Sequence, residues 1–201
     1  MPEVREGQLT FHFPEGWQLL KYDDTTWHRQ RMKSRSKGVD ILAHMGGPTH
    51  WWVEVKDCEG YEPENRPRLS AADPAEVSQA RQWVEQQGLK PKVQVVRRKP
   101  FIVDEIEEKL RDTLAAIAVA EREAAPELTG FSPLHAPFPR LRIVLLLTWN
   151  QRDFKRLASR LQTRLERALA PYGVQGLVVN EQTTGSAGLH CRVTRSHASN
   201  A

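Results

Sequence analysis

The chain has 201 residues, 39% hydrophobic and 27% charged, with 29 Lys plus Arg against 25 Asp plus Glu for a formal charge of +4. That composition excludes a wholly disordered chain, a collagen and a coiled-coil rod, and the length suits one domain with room for an insertion. Two cysteines, Cys58 and Cys191, exclude a disulfide-rich scaffold and a four-cysteine zinc site. The longest apolar runs, residues 114–120 and 143–147, are too short to span a bilayer. The first residues lack the apolar core of a signal peptide, so a cytoplasmic protein without a membrane partner is expected.

Residues 8–13 (QLTFHF) alternate and predict a short strand, ended by Pro14-Glu15-Gly16. Residues 17–37 show no clear period but are strongly basic, with Lys21, Arg29, Arg31, Lys33, Arg35 and Lys37. Residues 38–45 (GVDILAHM) and 51–58 (WWVEVKDC) read as two strands about the turn Gly46-Gly47-Pro48, a β-hairpin. Alternation puts Val39, Ile41, Ala43 and Met45 on one face with Trp51, Val53 and Val55. Asp40, Leu42 and His44 take the other, with Trp52, Glu54 and Lys56.

Residues 59–70 hold two prolines and read as loop. Asp73 as N-cap and Pro74 in the first turn predict a helix to about Gln87, stopped by Gly88. Residues 92–98 (KVQVVRR) read as a strand. Val103, Ile106, Leu110, Leu114 and Ile117 form one apolar stripe and predict a helix over 103–120. Residues 122–140 form a long proline-bearing loop. Residues 142–149 (RIVLLLTW) are apolar on both faces, as in a fully covered central strand. Residues 153–170 form an amphipathic helix on Leu157, Leu161, Leu165 and Leu169, and 173–179 a last strand. The fold class is α/β: a mixed central sheet with flanking helices on both faces. A single domain spans 1–185, with an insertion at 59–100, and 186–201 is expected to be a flexible tail.

The chemistry concentrates between Asp40 and Lys56. A Glu-x-Lys string alone carries little, since Glu107-Glu108-Lys109 is another. Geometry adds more. A hairpin symmetric about Gly47 places Asp40 opposite Glu54, their Cβ atoms about 5 Å apart. Two carboxylates so placed on apolar strands repel, and burial sharpens the repulsion. A positive charge must answer them. A divalent cation on oxygen ligands would do so, and so would Lys56 on the same face, acting as a structural counter-ion at a sheet edge.

At these residues the sequence resembles the PD-(D/E)XK, or restriction-endonuclease-like, nuclease superfamily. Its motif is an acidic residue ending one hairpin strand, Asp40 in GVDIL, then (D/E)-x-K on the next, Glu54-Val55-Lys56 in WWVEVKD. The helix at 103–120, covered strand at 142–149 and helix at 153–170 follow the family's order. The resemblance implies a restriction-endonuclease-like core and a Mg²⁺- or Mn²⁺-dependent endonuclease that hydrolyses phosphodiesters, of DNA rather than RNA. Asp40, Glu54 and the Val55 carbonyl would hold the metal; Lys56 would position the attacking water. The family's proline before the aspartate is replaced by Val39. Its acidic residue on the first helix has Glu15, Asp23 and Asp24 as candidates, with Asp24 taken as a supporting residue.

Lys109 flanks the apolar stripe and is a second supporting candidate. Arg29, Arg31, Lys33, Arg35 and Lys37 lead into the motif strand and are the expected nucleic-acid contacts. Arg156, Arg160, Arg164 and Arg167 form another basic stripe, read as a solvated helix face. His44, on the Asp40 face, reads as structural, and Trp51, Trp52 and Trp149 read as core. Such enzymes often act as homodimers. The alternative is a catalytically inactive nucleic-acid-binding or scaffolding domain on the same fold, within a defence or mobile-element complex.

Overall fold

The hairpin forms the middle of the molecule. The computed structural model describes residues 1–134 and 140–196. Strands β1 (Glu3–Glu6), β2 (Leu9–His12) and β3 (Gln18–Lys21) come first, then a 3-10 turn at Tyr22–Asp24 and helix α1 (Thr26–Arg31). Thr25 caps α1, its side chain accepting from the His28 N–H. β4 (Ile41–His44) and β5 (Thr49–Lys56) pair antiparallel with Ile41 opposite Val53 and His44 opposite His50. That is the register a turn centred on Gly47 requires. Gly46 and Gly47 both take positive φ there, which only glycine adopts without strain.

After β5 come α2 (Glu62–Asn65), a 3-10 turn at Arg66–Leu69 and α3 (Ala75–Gln86). The core then resumes with α4 (Ile102–Arg122), β6 (Arg140–Leu147), α5 (Gln151–Leu169), β7 (Gln175–Val179) and β8 (Arg192–Arg195). The main sheet runs β3-β4-β5-β6-β7, antiparallel from β3 to β5 and parallel from β5 to β7. The protein is therefore a mixed α/β fold. Val144, Leu145, Leu146 and Leu147 of β6 are all at most 1% exposed. Each contributes roughly 1.5–3 kcal/mol by leaving water, which explains why this strand reads as apolar on both faces.

Helices do not cover both faces of the sheet. On one, Leu42, Trp52, Ile143 and Leu145 pack with Ile106 and Leu110 of α4 and Leu161 and Leu165 of α5. On the other, Ile41, Trp51, Val53, Val144 and Leu146 meet Leu9, Phe11 and Val193 of a second sheet, β1-β2-β8. The reason is topological. The connections β5 to β6 and β6 to β7 step in the same direction, and right-handed crossovers then place both helices on one side. α5 lies close against β7: a Cβ on Gly176 would come within 2.8 Å of Leu165 Cγ.

Four further expectations change. The tail at 186–201 contributes β8, which pairs with β2, and Leu189, Cys191 and Val193 are buried; residues 197–201 lie outside the described residues, as do 135–139 of the long loop. Residues 92–98 form no strand. Val93 and Val96 are exposed, and the Val95 carbonyl accepts from Arg81 Nε instead of a neighbouring strand. Residues 59–70 are short helical turns rather than plain loop. Asp73 does not cap α3; Pro74 holds that position, and Asp73 pairs with Arg81. Among the described residues no helix is long and apolar enough to cross a membrane.

Candidate active site

Asp40 stands one residue before β4 and continues its ladder, donating its N–H to the Val53 carbonyl at 3.1 Å and accepting from the Tyr22 N–H at 2.9 Å. Its side chain is fixed as well: Oδ2 accepts from the Val55 N–H at 2.7 Å. The hairpin thus presents Asp40 beside Glu54, which is fully buried at 0% exposure. Behind them, α4 crosses the same face of the sheet.

α4 brings two residues one turn apart, Glu105 and Lys109. Lys109 Nζ lies 2.7 Å from each oxygen of Glu54 and 3.3 Å from Asp40 Oδ1, so three carboxylate oxygens converge on one ammonium. Lys56 Nζ lies 2.5 Å from Glu54 Oε1 and 2.9 Å from Glu105 Oε1. Glu105 also pairs with Arg68 from the 3-10 turn of the insertion. Three carboxylates and three cations form one continuous network.

The electrostatics follow from burial. Burial first, then the charge of Asp40, pushes the Glu54 carboxyl up to about 7, against the pull of Lys56 and Lys109. Lys109 is desolvated, yet Glu54 and Asp40 outweigh this and hold its ammonium above the ordinary range. Burial likewise raises Glu105, but Lys56 and Arg68 outweigh it, and the group sits below the usual carboxylate value.

Asp40, Glu54, Val55, Lys56 and Lys109 are therefore gathered in one place. Lys109 is central, not an ordinary flanking lysine, and the pair is not answered by Lys56 alone. Asp24 is placed elsewhere, 2.5 Å from Arg29 and 3.1 Å from Lys21. The charge of Asp40 reaches Asp23 and Glu6 of β1 as it does Glu54, adding to the rise that burial gives each carboxyl. Burial raises the Glu6 carboxyl, and Lys21 at 3.1 Å opposes that rise.

Of the basic run, Arg29 pairs with Asp24, Arg31 Nε lies 3.8 Å from Glu123, and Lys37 pairs with Glu108 at 2.8 Å. Lys33 and Arg35 project exposed. Glu105, Arg68 and Glu6 were not among the residues read from the sequence. Glu105 had a signal, its i to i+4 relation to Lys109 beside the apolar stripe. Arg68 and Glu6 had none.

This donor set suits a hard cation. Mg²⁺ commonly takes one or two protein carboxylates and completes its shell with water and substrate phosphate. Asp40 and Glu54 already turn their oxygens to a common point, where Lys109 supplies the positive charge. Among the described residues, no three His, Cys, Asp or Glu side chains converge as a metal-holding group, so protein carboxylates alone would fill only part of such a shell. Searched against protein-family models, curated proteins and solved structures, the chain matches none.

Proposed function

We propose that this chain is a metal-dependent nuclease of the PD-(D/E)XK type, hydrolysing phosphodiester bonds in DNA on a restriction-endonuclease-like core. The observation that carries the reading is the convergence of Asp40 and Glu54 oxygens on a single cation position, with Lys56 Nζ 2.5 Å from Glu54. The succession of hairpin, α4, β6 and α5 supports it. Asp40 and Glu54, with the Val55 carbonyl, would hold Mg²⁺ or Mn²⁺. The bound ion supplies Lewis acidity at a phosphoryl oxygen.

The chain's own residues do the rest. The Val55 N–H holds the Asp40 carboxylate in place. Glu105 keeps the Lys56 ammonium at the edge of the carboxylate pair. From there Lys56 orients the attacking water and offsets the charge that develops at phosphorus. Lys109 neutralises the carboxylates in the resting chain, and its flexible four-carbon stem lets the ammonium move away. In the reaction a water oxygen bonds to phosphorus and sheds a proton to solvent, the phosphorus–ester oxygen bond breaks, and the departing oxygen leaves with its electron pair and takes a proton from solvent.

The test is cleavage of plasmid and oligonucleotide DNA with Mg²⁺ or Mn²⁺. E54A and K56A are each expected to abolish it while circular dichroism shows a folded protein. Cleavage that survives both substitutions would overturn the proposal.

One observation favours a second reading, a non-cleaving nucleic-acid-binding or scaffolding domain. The network answers itself: three carboxyls, Asp40, Glu54 and Glu105, are matched by three cationic groups, Lys56, Lys109 and Arg68. That reading expects salt-sensitive binding without turnover, and hydrolysis stopped by EDTA excludes it.

A further inference from the structure

A groove of about 1010 Å³ lies between α5 and the 3-10 turn at Arg66–Leu69. Its position is set by the sheet. β5 and β6 run parallel with Lys56 beside Leu147, so Trp149, two residues past β6, opens beside the end of the strand that carries the candidate site. The 3-10 turn separates the two. Arg68 points to Glu105 of the site, while Arg66 and Leu69 line the groove.

The lining has a definite chemistry. Arg66 stands on one wall and Arg156 and Arg160 on the other, with Trp149 at one end. All three arginines are exposed, and none lies within ion-pair distance of a carboxylate among the described residues, although Glu62 and Asp153 also line the groove. Arg160 donates only to the Leu69 carbonyl, at 3.3 Å. This contrasts with Arg29, Arg81 and Arg195, which are tied up in ion pairs. Arg156 and Arg160 are one helical turn apart, about 6 Å, a step comparable with that between phosphates of an extended strand. Trp149 is partly exposed: it packs against the core and also lines the groove, where it can meet a base.

We infer that this groove binds a segment of single-stranded DNA, with phosphates on Arg66, Arg156 and Arg160 and a base stacked on Trp149. Unpaired cations tracking a backbone beside an aromatic platform are what a single strand requires. A duplex keeps its bases stacked internally and offers Trp149 no free face. The inference rests on the nuclease reading in one respect: the strand leaving the groove past the 3-10 turn is the one led to Lys56.

The test is fluorescence anisotropy of a fluorescein-labelled oligothymidylate, titrated with the full chain in EDTA so that binding is read without hydrolysis. W149A is expected to weaken binding roughly 5- to 100-fold, the range one stacked base commands. W149L keeps an apolar side chain against the core and should show the same loss if W149A proves unstable. R156E alters an exposed residue; it should weaken binding and lower the salt slope by about one. Wild-type affinity in both W149L and R156E overturns the inference. So does equal or tighter binding of a duplex or an RNA of matching sequence. Cleavage assays separate the two proposals. A chain that binds through the groove and never cleaves overturns the nuclease alone. A chain that cleaves, with groove variants binding as wild type, overturns the groove alone.

Discussion

Lys109 and Glu54 lie 55 residues apart in sequence, yet the lysine ammonium sits 2.7 Å from both oxygens of a carboxylate with no solvent exposure. The pair locks α4 to the second strand of the hairpin and sets how the acidic face of the sheet is presented. An unpaired charge at that depth would be costly, so the helix cannot slide without leaving Glu54 stranded.

Removing the lysine should therefore destabilise the protein. K109M is expected to cost about 3 kcal/mol, typical of breaking a buried pair, read from urea unfolding. E54Q combined with K109M should cost less than the sum of the two single changes. Strict additivity would show that the two residues are not coupled.

Glu105 tests the positioning of Lys56. It touches no candidate metal ligand but holds Lys56 Nζ at 2.9 Å. If the chain cleaves DNA as proposed, E105Q should lower the maximal rate roughly 10- to 100-fold, as loss of a supporting partner does. The metal concentration for half-maximal activity should barely move. A change in metal dependence with an unchanged rate would assign Glu105 to the metal instead.

Acid should weaken the fold through the stacked pair His44 and His50, whose ring centroids are 5.5 Å apart. Burial first, then the charge of His44, pushes His50 down to about 4; burial also lowers His44. A histidine kept neutral in the fold but free to protonate when unfolded contributes fully above pH 6.5 or so, and the contribution disappears as pH falls towards 4. For His50 this amounts to about 3 kcal/mol. Glu54 acts oppositely, since its folded value is raised and protonation favours the fold as pH falls from about 7. The comparison with H50Q isolates the histidine. Urea midpoints from about pH 7.5 to 4.5 should fall less steeply in H50Q. Parallel curves would refute the assignment.

Gly38 supplies a test of how Asp40 is held. A Cβ there would collide with the ring of Tyr22, whose backbone N–H bonds to the Asp40 carbonyl. G38A is expected to cost roughly 1–3 kcal/mol by overpacking and to weaken any calorimetric Mg²⁺ binding. Wild-type stability would mean that the ring can move aside.

What the sequence reveals about this protein is mostly local. Gly46-Gly47-Pro48 sets the hairpin, and the register that places Asp40 beside Glu54 follows by counting. The apolar run of β6 and the leucines of α5 declare themselves by composition and period. The rest depends on partners far along the chain. β8 reads as part of a polar tail because the alternation that leads into it, Leu189, Cys191 and Val193, has meaning only once the strand pairs with β2; His12 and Thr194 of those two strands are 182 residues apart. Arg68 lies in a segment without periodicity and joins the network only once the insertion folds back. The valines of 92–98 suggest a strand that lacks an edge to join.

The pairing of β8 with β2 also bears on the order in which the molecule can be completed. During synthesis the helical side of the main sheet can close as soon as β7 emerges, whereas the side bearing Trp51 and Val53 waits for residues up to Arg195. Until then a nascent chain exposes an apolar surface and the unpaired edge of β2, the two features that most favour association between unfinished chains. Arg195, gripped by Asp57, Glu59 and Glu181, is the residue that finally fastens this side down. Its loss should show first as a poor yield of soluble protein, ahead of any defect in the finished molecule.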